Sequence, residues 1–89
     1  MYRLVITEDF EKQFKKLDRS IQVMVKKWIE KHFREDSDPR DCGRPLSANM
    51  KGYWRYRIGD YRLLAEIRDK ELIIIAISIS HRSKVYRGG

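Results

Sequence analysis

The chain has 89 residues, with 20 Lys or Arg against 13 Asp or Glu, a formal net charge of +7 and a pI near 9.8. A chain this short supports one core and excludes a lobed enzyme enclosing a large cofactor, while 42% hydrophobic and 37% charged residues exclude a disordered tail. The longest strongly apolar stretch, Leu72 to Ile79 with Ser78 its one polar residue, is eight residues against the roughly 20 of a membrane span, and the N-terminus carries no secretory pattern. With a single cysteine, Cys42, and so no internal disulfide, these features predict one cytoplasmic domain over residues 1–89 with no membrane contact.

Tyr2 to Ile6 is a short β-rich run. Thr7 with Glu8 and Asp9 supplies an N-cap and two acids for the positive end of a helix. Phe10, Phe14 and Leu17 then recur at helical spacing, with Lys12, Lys15 and Lys16 off that face. Asp18 or Ser20 punctuates. Ile21, Met24, Val25, Trp28, Ile29 and Phe33 stripe a second, longer helix, and the short connection makes an antiparallel hairpin. His32 has no second His or Cys at ligand spacing, so neither a metal nor a cofactor is expected. Residues 35–50 hold both prolines and a cluster of turn formers, an irregular connection long enough to form a functional rim. Cys42, within it, has no obvious His or acid partner in sequence, so a nucleophilic role is not expected.

From Gly52 the period changes to two. Tyr53 to Ile58, Tyr61 to Ile67 and Leu72 to Ser80 read as strands, joined by Gly59-Asp60 and by Arg68 to Glu71. The expected fold class is α+β, ordered β-α-α-β-β-β, an antiparallel sheet covered on one face by the helical hairpin.

A two-residue turn at Gly59-Asp60 sets Ile58 opposite Tyr61, Arg57 opposite Arg62, and Arg55 opposite Leu64. Like charges paired across strands are destabilising, and an anion between Arg57 and Arg62 would relieve the conflict. A second turn symmetric about Asp69-Lys70 would place Ile73, Ile75, Ile77, Ile79 and His81 on that arginine face. Trp54, Tyr56, Ile58, Tyr61, Leu63, Ala65, Ile67, Leu72, Ile74 and Ala76 would then receive the helices. Residues 81–89 add Arg82, Lys84 and Arg87 with no acid, and Tyr86 adds a ring on which a base could stack.

The run Trp54-Arg55-Tyr56-Arg57-Ile58-Gly59-Asp60-Tyr61-Arg62-Leu63, followed by Ile79-Ser80-His81-Arg82-Ser83-Lys84-Val85-Tyr86, resembles the RelE family of bacterial toxins. The resemblance covers essentially the whole chain, and the same fold is shared with ParE toxins, which poison DNA gyrase. It admits a short C-terminal helix. It implies a metal-independent endoribonuclease that cuts mRNA in the ribosomal A site, the RNA's own 2′-hydroxyl attacking the adjacent phosphate. By position, Arg62 matches the arginine that grips the phosphate, Arg82 the arginine near the leaving group, and Tyr86 the tyrosine that positions a base.

Arg55 and Arg57 fall where family members carry lysine. Arginine stays protonated and is a poor general base, so this pair is assigned to charge stabilisation. His81 is the preferred base by its ordinary titration range, with Lys51 or Lys84 as alternatives. Lys51, Lys84 and Arg87 are assigned to RNA or rRNA binding. The resemblance further implies as partners a cognate antitoxin, the 70S ribosome with its mRNA, and operator DNA only through the toxin–antitoxin complex. The alternative reading is a ParE-like, non-enzymatic inhibitor of gyrase.

Overall fold

The computed structural model describes residues 2–33, 38–46 and 52–85. Their order is β1 (Arg3–Ile6), α1 (Glu8–Lys15), α2 (Arg19–His32), β2 (Gly43–Pro45), β3 (Tyr53–Ile58), β4 (Tyr61–Arg68), β5 (Ile73–His81) and α3 (Arg82–Val85). The five strands form one sheet in the order β1-β5-β4-β3-β2. Pairing is antiparallel from β2 through β5, and β1 joins the far edge parallel to β5.

Thr7 ends β1 and starts α1. Its Oγ1 accepts the Phe10 N–H at 3.1 Å, as an N-cap should, and Glu8, Asp9 and Glu11 occupy the positive first turn. The two helices lay their apolar stripe on the sheet, where Phe10, Val25, Tyr56, Ile58, Leu63, Ala65, Ile74, Ala76 and Ile79 form the core. At the end of α2, Trp28 and Phe33 meet the Tyr56 ring edge-on at centroid distances of 5.5 and 4.9 Å, an arrangement favoured by aromatic quadrupoles. Tyr56 is fully buried, and its hydroxyl donates to Pro39 O at 2.7 Å, which ties the segment before β2 to the core.

The β3–β4 hairpin has the register expected: Ile58 opposite Tyr61, Arg57 opposite Arg62, Arg55 opposite Leu64. Gly59 takes φ 58° at the first position of its turn, a conformation that costs glycine little. The β4–β5 hairpin differs from expectation in two ways. Its loop is the four residues Asp69 to Leu72, closed by the Leu72 N–H to Asp69 O, so Arg68 faces Ile73. Leu72, expected in the core, is instead 49% exposed at φ 53°.

The second difference is a β-bulge. Ala65 pairs with Ala76 but Leu64 pairs with Ser78, leaving Ile77 as the extra residue. Strand side chains alternate with period two, so one extra residue exchanges the faces beyond it. Ser78 and Ser80 therefore lie on the arginine face, opposite Leu64 and Arg62. Ile79 and His81, expected on that face, turn to the helix side, where Ile79 is 2% exposed in the core. Residues 38–46, the described part of the connection expected over 35–50, are also less irregular than expected, since β2 pairs with β3 and forms the sheet's outer edge.

Candidate active site

Three adjacent strands bring arginines to one recess. Arg44 of β2 pairs with Arg55 of β3, and Arg57 of β3 pairs with Arg62 of β4. These four side chains and Cys42 line a recess of about 190 Å3. Among the described residues, no carboxylate is ion-paired with Arg44, Arg57 or Arg62. A concentration of uncompensated guanidinium groups is unfavourable by itself and becomes favourable when an anion enters.

Arg62 is the most constrained member. Only 8% of it is exposed, and its Nη1 donates to Gly59 O at 3.1 Å and to Tyr61 O at 2.9 Å. Those two carbonyls hold the guanidinium where it lines the recess. Arg82 reaches the same turn from the start of α3, donating its backbone N–H to Asp60 O at 2.8 Å and placing Nε 3.9 Å from Asp60 Oδ1. The Gly59-Asp60 turn thus brings Arg62 and Arg82 to one end of the sheet, although they are 20 positions apart.

His81 stands apart from the arginine recess. Its ring meets Tyr61 edge-on at 5.4 Å in a second recess of about 340 Å3, formed with Gln13, Lys16, Leu17, Ile79 and Ser80. Its Nδ1 accepts the Ser83 backbone N–H at 3.2 Å. A backbone amide can only donate, so the neutral ring carries its proton on Nε2. Expected from the sequence as a base beside the arginines, His81 is turned away by the bulge at Ile77 and presents an N–H donor.

Burial pushes the Cys42 thiol up from its ordinary range, which keeps it protonated. Lys84 belongs to α3 by its backbone. Its side chain and residues Lys51, Tyr86 and Arg87 lie outside the described residues. Arg44 and Cys42 are the members missed in the sequence reading. A three-residue strand containing Gly43 and Pro45 carries no alternating pattern, and only its pairing with β3 places Arg44 opposite Arg55. Among the described residues no group of three or more His, Cys, Asp or Glu is arranged to hold a metal ion, and no helix is long and apolar enough to cross a membrane.

Residues 4–86 match the family described as the ParE toxin of the type II toxin–antitoxin system parDE. Toxin YoeB of Synechocystis is 35% identical over 68 residues, 75% of this chain and 74% of YoeB. Toxin RelG of Mycobacterium tuberculosis is 34% identical over 50 residues, 56% of this chain and 58% of RelG. Among solved structures, the RelBE2 toxin–antitoxin complex of Mycobacterium tuberculosis shares the fold at a TM-score of 0.75 and 29% identity, covering 91% of this chain and 98% of that one. Isolated Escherichia coli RelE shares it at a TM-score of 0.74 and 21% identity, covering 99% and 94%. Sequence match and strand order agree, and the chain belongs to the RelE/ParE superfamily as a RelE-type toxin of a type II toxin–antitoxin system.

Proposed function

We propose that this toxin is a ribosome-dependent endoribonuclease that cleaves mRNA in the ribosomal A site and so halts translation. The observation that carries the reading is the direct opposition of Arg57 and Arg62 over a recess shared with Arg44 and Arg55. A phosphodiester approaching its transition state accumulates negative charge on its non-bridging oxygens, and preorganised cations stabilise that charge at little reorganisation cost.

In the proposed reaction the 2′-oxygen bonds to phosphorus as the bond to the 5′-oxygen breaks. The products are a 2′,3′-cyclic phosphate and a 5′-hydroxyl, and the proton lost by the 2′-hydroxyl balances the one gained by the 5′-oxygen. No metal takes part in the proposed scheme. Arg62 and Arg57 hold the phosphate, Arg82 lies toward the leaving oxygen, and Tyr86 orients a base. Arg55 supplies further charge, and Lys51, Lys84 and Arg87 engage RNA or rRNA. The Nε2–H tautomer of His81 suits hydrogen-bond donation better than proton abstraction, and Lys51 and Lys84 are the alternative bases.

A toxin of this kind requires restraint, and a cognate antitoxin of acidic character would supply it. The RelE relatives crystallised as RelB complexes from Mycobacterium tuberculosis, Methanococcus jannaschii and Pyrococcus horikoshii support that partnership. Operator DNA would be bound only by the joint complex.

The second reading, inhibition of DNA gyrase without RNA cleavage, is favoured by one observation: the matching family model is that of ParE. Purified toxin added to programmed ribosomes, with RNA ends mapped by primer extension, separates the two. Cleavage within the A-site codon is expected. Intact mRNA together with trapped gyrase–DNA cleavage complexes would establish the alternative.

A further inference from the structure

We propose that Arg44 and Arg55 make a second phosphate position beside that of Arg57 and Arg62, so that the site grips two successive phosphodiesters of one ribonucleotide strand. The inference rests on the RNA reading above and adds to it Arg44, whose place only the pairing of β2 with β3 reveals.

Each pair is a cross-strand juxtaposition of like charge, Arg44 with Arg55 and Arg57 with Arg62. The pairs occupy different strand boundaries and are offset by two residues along β3. With a rise near 3.3 Å per residue and strands about 4.8 Å apart, their midpoints lie roughly 8 Å from one another. A single phosphate serving both pairs would draw four guanidinium groups onto one point, whereas neighbouring phosphates of a single strand give each pair an anion of its own.

The backbone restricts where Arg44 can go. It precedes Pro45, which disfavours the helical region and keeps the residue extended, and it is held in register against Arg55. Gly43 is confined too, because a Cβ there would meet Tyr56 Cε1 at 2.5 Å. Arg44 is exposed and makes no ion pair among the described residues. It is therefore positioned without being neutralised.

The test uses full-length toxin and uncleavable 2′-deoxy oligonucleotides followed by NMR titration, a dinucleotide with one phosphodiester and a trinucleotide with two. The wild type is expected to bind the trinucleotide at least fivefold more tightly at low ionic strength. Arg44→Gln is expected to reduce that advantage below twofold and to make the slope of log affinity against log salt shallower by about 0.7, the share of one phosphate on a single strand. Arg44→Lys, which keeps the charge, is expected to retain the slope. Equal weakening of both ligands by Arg44→Gln would mean one shared phosphate and would overturn the proposal, as would an unchanged trinucleotide advantage. Binding is read without cleavage, so failure here is distinct from failure to cut mRNA on the ribosome. Thermal unfolding of each variant separates lost contact from lost fold.

Discussion

Gln13 in α1 accepts the backbone N–H of Ile79 in β5 at 2.8 Å. β1 pairs with β5 only as far as Ala76, so beyond that point β5 has no strand on its outer side. Gln13 takes the place of the missing strand at Ile79. At the bulge itself the Thr7 hydroxyl lies 3.0 Å from both Ala76 O and Ile77 O. Two side chains from the start of the helical hairpin therefore hold the bulged half of β5, whose face exchange sets Ser80 beside Arg62 and His81 beside Tyr61.

Replacing Gln13 by Ala leaves the Ile79 amide without its acceptor. An orphaned, partly buried donor costs about 1–2 kcal/mol. Urea unfolding of Gln13→Ala is expected to show a lower midpoint with an unchanged m-value. A loss below about 0.3 kcal/mol would mean that water satisfies the amide equally well.

Leu72 adopts φ 53° while 49% exposed, so its side chain gains little from burial and its backbone is strained. A left-handed conformation costs an L-residue roughly 1–2 kcal/mol, partly offset in glycine by a more flexible unfolded chain. Leu72→Gly is expected to raise stability by about 0.5–1 kcal/mol in a chemical denaturation experiment. Destabilisation would show that the exposed leucine makes contacts worth more than the strain.

Gly43→Ala should act in the opposite direction. The new Cβ would lie 2.5 Å from the Tyr56 ring, and Tyr56 is fully buried and bonded to Pro39 O. Overpacking of this kind costs typically 1–3 kcal/mol. Beyond the lower Tm, the near-ultraviolet circular dichroism of the Trp28, Phe33 and Tyr56 cluster is expected to change. An unaltered spectrum would show that β2 moves instead of the ring.

Arg40 grips Asp69 through Nη2 at 2.6 Å to both carboxylate oxygens, and Tyr2 donates to the same carboxylate. These partners, the Arg40 hydrogen bond foremost, hold the Asp69 carboxyl below its usual range. A carboxylate with a depressed folded-state pKa stabilises the fold above its unfolded value, near 3.9, and that contribution disappears as pH falls through the folded-state pKa. Asp69→Asn is expected to lower Tm at pH 7 and to narrow its gap from the wild type below about pH 4. A gap independent of pH would remove the ion pair as its cause.

Arg62 has its guanidinium held by two turn carbonyls at the recess proposed to take the phosphate. Arg62→Ala is expected to reduce ribosome-dependent cleavage by about 10²–10³, as loss of a transition-state donor does. Arg62→Lys should recover only part of that activity, because an ammonium cannot bond both turn carbonyls and hold a phosphate with a planar fork. Lys12→Ala, at an exposed helix position paired with Glu8 at 3.4 Å, is the control expected to retain activity. Comparable losses at Arg62 and Lys12 would point to general charge instead of a formed site.

The sequence by itself determined what depends on local spacing. Thr7 as a cap, the helical stripes of Phe10 to Phe33, the two-residue turn at Gly59-Asp60 and the opposition of Arg57 to Arg62 follow from periods and turn chemistry acting over a few residues. Tertiary structure decided whatever depends on pairing between distant segments. Gly43 to Pro45 becomes a strand only because β3 offers it an edge, which places Arg44 opposite Arg55. One extra residue at Ile77 reverses the faces of Ser78 to His81, and the contacts that hold it come from Thr7 and Gln13, more than 60 positions earlier. Alternation within β5 shows no break in the sequence because both faces carry isoleucine, so the hydrophobic pattern fits either register, and the hydrogen bonds of Thr7 and Gln13 decide between them.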